Sequence, residues 1–149
     1  WQPTEIAQDR INSISAYLTE AALPNIQTPI LLDATTPGWG IRTGPVELIL
    51  LSNLLHLISQ TEAEVLLSEA AHALAPGGCL AIYGPFSRDG DLVSDGDIEF
   101  DASLRAQDPE LGYKSDSAIR DFGASCGLIP TETVEMPANN LLLTWRAPT

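Results

Sequence analysis

The chain has 149 residues, 44% of them hydrophobic, about the size of one globular domain with room for a real core. Its net charge is -13, from 7 basic and 20 acidic residues, which repels phosphate backbones and anionic lipid and so argues against nucleic-acid and membrane partners. The longest apolar stretch, Val46 to Ile58, is interrupted by Glu47, Asn53 and His56 and is too short for a membrane span of about 20 residues.

From Thr4 to Ala22, Ile6, Ile11, Ile14, Tyr17, Leu18 and Ala21 recur at helical spacing. Pro29 to Asp33 reads as a short strand closed by an acid, followed by a loop rich in Pro37, Gly38, Gly40 and Gly44. Val46 to Ser52 reads as a core strand. Ser59 with Glu62 and Thr61 with Glu64 are overlapping capping boxes, opening a helix whose inner face is Val65, Leu66, Ala70, Ala71 and Leu74.

The stretch LAPGGCLAIYGPF, Leu74 to Phe86, places a Pro-Gly-Gly turn before five apolar residues, Cys79 to Tyr83, and a second Gly-Pro after them. Such a run reads as a strand buried on both faces of a parallel sheet, stopping at Gly84. The carboxyl ends of strands in such sheets face the ligand crevice. SRDGDLVSDGD then reads as a mobile loop over that crevice. Short helices are expected at Glu99 to Gln107 and at Asp116 to Ser125, the second closed by Gly127. Strands at Leu128 to Met136 and Leu141 to Arg146, joined by Pro137-Ala138-Asn139-Asn140, are close enough to form only an antiparallel hairpin.

The fold class that follows is α/β, one domain over residues 1–149, with helices on both faces of the sheet and a closing antiparallel hairpin. Cys79 and Cys126 have no CxxC spacing and read as reduced structural thiols, which fits a cytoplasmic location. Lys114 is the only lysine, which excludes a P-loop and the Tyr-x-x-x-Lys pair of short-chain dehydrogenases. His56 and His72 lie on different elements without ligand spacing, so no metal site is expected.

The words WQPTEI (Trp1–Ile6), LLDAT (Leu31–Thr35), NLLH (Asn53–His56), LAPGG, YGPF (Tyr83–Phe86), FDASLRAQDPELG (Phe100–Gly112) and EMPANN (Glu135–Asn140) occur in this order over nearly the whole chain. In them the sequence resembles class I S-adenosylmethionine (SAM)-dependent methyltransferases, and more closely the methyltransferase-like twenty-six family. LAPGG marks only the superfamily, whereas YGPF, FDxxLR and MPANN together are specific. The resemblance implies a Rossmann-like sheet, SAM as cofactor and an unidentified methyl acceptor, a small molecule or protein side chain.

The family's pattern begins earlier, with a strand and a Gly-x-Gly-x-Gly loop that have no counterpart here, so the chain is expected to be an N-terminally truncated piece. The strands ending at Glu5 and Asp33 would then lack the neighbour that links them to the rest of the sheet. Leu111 stands where the family usually has tryptophan, and Ile58-Ser59-Gln60 replaces a typical Ser-Pro after the histidine.

By the same resemblance, Glu5 accepts hydrogen bonds from the ribose hydroxyls and Asp33 from the adenine amino group, with Asn53 as a further cofactor contact. Their plain alternatives are a first-turn helix acid and an Asx turn. Asn53 and His56 would lie at the rim where methyl group and acceptor meet, His56 as an optional base and Tyr83 shaping the acceptor side. Asn139 and Asn140 would recognise a polar acceptor and Arg88 and Arg105 an acidic one, against turn conformation and surface ion pairs. Two other classes remain: a non-catalytic SAM-fold interaction module, and a nicotinamide-dependent oxidoreductase, which the closing hairpin and the missing Tyr-x-x-x-Lys weaken.

Overall fold

The computed structural model describes Trp1 to Thr149 and divides into two compact units, Trp1–Ala34 and Thr35–Thr149. In the first, β1 (Thr4–Glu5) and β2 (Ile30–Leu31) pair in parallel, Thr4 beside Ile30 and Glu5 beside Leu31, connected through α1 (Gln8–Ala21). β1 and β2 pair only with each other, as the sequence reading expects. The helix starts at Gln8 and not at Thr4, because Glu5 turns the chain: its Oε1 accepts the amides of Ile6 (2.9 Å) and Ala7 (3.1 Å).

The second unit contains α2 (Trp39–Thr43), β3 (Val46–Ser52), a 3-10 turn (Leu55–Leu57), α3 (Gln60–Ala73) and β4 (Leu74–Ser87). After these come α4 (Asp95–Gln107), β5 (Lys114–Ser115), α5 (Asp116–Ser125), β6 (Ile129–Glu135) and β7 (Asn140–Arg146). The sheet order is β3-β4-β7-β6, with β5 pairing the end of β4. β3 runs parallel to β4, while β7 is antiparallel to both β4 and β6, so the closing hairpin lies within the sheet with β7 inserted beside β4.

Several local expectations are corrected. The loop before Val46 holds a helical turn, α2, because the Glu69 carboxylate accepts the amide of Gly40 at 2.7 Å from across the fold. Within this chain β3 pairs only with β4, and Leu48 and Leu50 are 48% and 50% exposed. Only the Ser59–Glu62 capping box forms; Thr61 falls inside α3. The buried face of that helix is Ala63, Leu66, Leu67, Glu69, Ala70 and Ala73, with Val65 and Ala71 half-buried.

β4 is longer than the five residues expected. It begins at Leu74, interrupts its register with β3 between the Val46–Leu74 and Leu48–Cys79 pairs, and continues through Gly84-Pro85 to Ser87. Pro85 is tolerated because it faces Asn140, the first residue of β7, so its missing N–H removes no interior rung. The SRDGDLVSDGD segment is not one open loop. Asp89-Gly90, both with positive φ, close a tight turn bridged by Arg88 and Asp91, and Asp95 already belongs to α4 behind its N-cap Ser94.

The core of this unit lies between the sheet and helices α3 and α5. Leu141, Leu143 and Trp145 alternate inward along β7, against Leu80 and Ile82 of β4, with Leu66, Leu67 and Ile119 among the fully buried side chains. Gly123 lets α5 approach: a Cβ there would stand 2.6 Å from Trp145 Nε1, which donates to the Arg120 carbonyl at 3.4 Å. Cys79 and Cys126 are free and half-buried. No helix is long and apolar enough to cross a membrane.

Candidate active site

In the first unit, Glu5 ends β1 and Asp33 follows β2 by two residues, so both acids stand at the carboxyl end of one parallel ladder. Glu5 also lies 3.7 Å from the exposed Arg10 guanidinium. Oε1 of Glu5 serves the turn between β1 and α1, so Glu5 is not a first-turn helix acid; that place is taken by Asp9.

In the second unit Asn53, just past the carboxyl end of β3, lies beside Tyr83 in the interior of β4. Ser52 is in register with Tyr83, and the amide of Asn53 donates to the Tyr83 carbonyl at 2.8 Å. Asn53 is exposed and held at φ 54°, a left-handed conformation that asparagine accepts more readily than most residues. The chain then turns into the 3-10 segment that carries His56.

His56 is 7% exposed, and its Nδ1 is buried with no hydrogen-bond partner. Its ring packs against Phe100 of α4 (centroids 5.8 Å apart) and Tyr113 (6.4 Å), which in turn lie 6.2 Å from each other. Burial, and then the charge of Lys114, lower the histidine pKa, so the imidazole is neutral at neutral pH.

Behind these rings is a polar network that sequence reading missed. Asp97, in the first turn of α4, accepts from the Tyr113 hydroxyl (3.0 Å), the Asn139 amide (3.0 Å) and Ser94 Oγ (2.7 Å). Burial raises its pKa, but the hydrogen bonds from Ser94, Tyr113 and Asn139 together outweigh that and keep it lowered. The Tyr113 phenol is pushed up to about 12 by burial and by its bond to Asp97, so it stays a protonated donor. Asp101 accepts the Tyr113 amide at 2.6 Å and pairs with Arg105 at 2.7 Å.

The remaining sequence candidates are engaged in the fold. Arg88 donates to Glu135 (2.9 Å) and to the carbonyls of Phe86 and Asn139, while Arg105 is tied to Asp101. Asn139 gives its amide to Asp97 and Ser94, and Asn140 gives its own to the Pro137 carbonyl at 3.1 Å. Asp97 carried a readable signal, since Ser94-x-x-Asp97 is a capping pattern. Its links to Tyr113 and Asn139 span 16 and 42 residues and had none.

A family model described as "Protein of unknown function (DUF938)" matches residues 1–147. The chain belongs to the DUF938 family. Among solved structures, it is similar to an O-methyltransferase family protein from Burkholderia thailandensis, at 15% identity and TM-score 0.83 over 99% of this chain and 43% of that one. It is also similar to PigF with S-adenosylhomocysteine (SAH), at 13% identity and TM-score 0.79 over 98% of this chain and 47% of that one. Human N-acetylserotonin methyltransferase in complex with SAM matches at 15% identity and TM-score 0.68, over 85% of this chain and 35% of that one. The DUF938 chain therefore spans less than half the length of each. At these identities the likeness establishes the fold: the Rossmann-like α/β methyltransferase architecture with the closing antiparallel hairpin.

Proposed function

We propose that this DUF938 chain is part of a SAM-dependent methyltransferase of the methyltransferase-like twenty-six type, acting on a small molecule or protein side chain in the cytoplasm. The observation that carries the reading is the position of Glu5, at the carboxyl end of a parallel strand in a methyltransferase fold. Ligands of open α/β sheets bind outside the carboxyl ends of the strands. The residues fit the cofactor: two carboxylates at the carboxyl end of one ladder, Glu5 ending β1 and Asp33 just past β2, are acceptors suited to ribose hydroxyls and an adenine amino group. SAM supplies a methyl group already activated on a sulfonium.

Methyl transfer then asks mainly for orientation and exclusion of water. In the second unit, Asn53 and Tyr83 would border the acceptor. His56, neutral and with Nδ1 unengaged, would take the acceptor's proton. The strongly acidic chain favours an acceptor other than nucleic acid.

The test is thermal unfolding of the product of the complete reading frame that encodes this chain, with and without SAH. A ligand at 100 times its dissociation constant adds about 2.7 kcal/mol. At about 2–4 °C per kcal/mol for a protein of this size, the midpoint should rise by roughly 5–10 °C. A cooperative transition that SAH leaves unmoved overturns the proposal in favour of a non-catalytic module.

A further inference from the structure

We infer that Lys114 is a positioning residue for His56: its ammonium pins the segment that carries the imidazole and places a positive charge beside the ring. The inference rests on the reading of His56 as proton acceptor. Lys114 is 6% exposed, and no carboxylate lies within ion-pair distance of it. A buried ammonium without a counter-ion is costly, so packing alone would be better served by an apolar side chain of similar volume.

Its Nζ instead donates to two carbonyls, Ile58 at 2.6 Å and Gly112 at 3.0 Å. Gly112 in turn donates its amide to the His56 carbonyl at 3.0 Å. Residues 56 to 58 are thus held at both ends by the short stretch entering β5. Gly112 has φ 112°, and a Cβ there would meet Asp101 Oδ1 at 2.5 Å and Arg105 Cζ at 2.9 Å, so this approach depends on glycine.

The charged and titratable groups around this centre are Asp97, Asp101 and Arg105 on α4, Glu62 on α3, and Tyr113 and Lys114 on the β5 strand and its approach. β4, which packs on the 3-10 turn, carries Cys79 and Tyr83 as its titratable side chains. Burial, and then the nearby Arg105, lower the Lys114 pKa, while Asp101 and Glu62 oppose that shift and help keep the ammonium charged. A charged Lys114 disfavours a second positive charge on His56, which holds the resting ring in the neutral form that can take a proton and makes the imidazolium give that proton up readily.

In the product of the complete reading frame, lysine labelled with 13C at Cε can be titrated by NMR alongside His56, the Lys114 resonance being the one that Lys114→Arg removes. In the wild-type chain, Lys114 should still be charged where His56 titrates, and its Cε signal should show a second inflection at the His56 midpoint. Lys114→Arg should keep that midpoint low, and Lys114→Met should raise it toward 6.5, the ordinary histidine value. Loss of the lysine proton before His56 titrates, or a Cε signal blind to His56, overturns the inference even if Lys114→Met does not fold. So does an unchanged His56 midpoint in a folded Lys114→Met chain. Failure of SAH to bind would overturn the cofactor reading without moving these signals, so the two failures are separable.

Discussion

Truncation of Trp145 to alanine is expected to cost about 3–5 kcal/mol, a large fraction of the roughly 5–15 kcal/mol that holds a domain together. The indole is 0% exposed, sits on the central strand β7 and lies against Gly123 of α5, so its removal leaves a cavity that neither sheet nor helix can close easily. In thermal unfolding this should appear as a midpoint lowered by roughly 6–20 °C. The same contact predicts a coupling. Gly123→Ala forces a Cβ to within 2.6 Å of Nε1 and should cost about 1–3 kcal/mol in the wild type. It should cost much less beside Trp145→Phe, which lacks that nitrogen. Equal costs in both backgrounds would mean that the helix is not seated on the indole as described.

Replacement of Asp97 should have the second largest effect, since it holds three elements at once. Asp97→Ala leaves the Tyr113 hydroxyl and the Asn139 amide without their acceptor, at about 1–3 kcal/mol for each buried group that stays unpaired. Asp97→Asn should recover only part of this, because an amide offers one acceptor where the carboxylate offers two. The pH dependence follows from the lowered pKa of Asp97 in the fold, against 3.8 for an ordinary aspartate. Its stabilisation is complete above pH 3.8 and is lost as the pH falls through the depressed folded value. The difference in unfolding free energy between wild type and Asp97→Asn should therefore be flat across the neutral range and shrink only in strong acid. A difference that already fades between pH 7 and 5 would mean that another group, such as His56, is the one being read.

The elements set by strong local signals were legible. Val46 to Ser52, Asp116 to Ser125 and the closing hairpin lie where apolar runs, caps and a short turn put them. The family resemblance anticipated the methyltransferase architecture, and spacing alone anticipated the antiparallel hairpin that distinguishes it. Harder positions share a physical reason. Asp95-Gly96-Asp97 are poor helix formers, so α4 begins there only because Ser94 caps it and Asp97 is anchored from outside the helix. β5 has two residues and exists through its pairing with the end of β4.

The candidate site divides in the same way. Glu5 ends β1, and Asn53 and His56 follow β3, where pattern and resemblance located them, but Tyr83 lies inside β4 because that strand runs on to Ser87. The groups around His56 (Asp97, Phe100, Tyr113 and Lys114) come from segments far along the chain and are joined only by tertiary contacts. Asn139, expected to face an acceptor, gives its amide to Asp97 and closes the network from the left-handed position it holds in the hairpin turn.

The central claim is that this fold binds SAM through Glu5, and calorimetric titration of the complete reading-frame product with SAH tests it most directly. Wild-type protein should bind saturably. Glu5→Gln should weaken binding about tenfold or more, as expected when hydrogen bonds to a charged acceptor worth about 1.5–3 kcal/mol are lost. Absence of binding by a folded protein, or equal affinity in the two, would contradict the account.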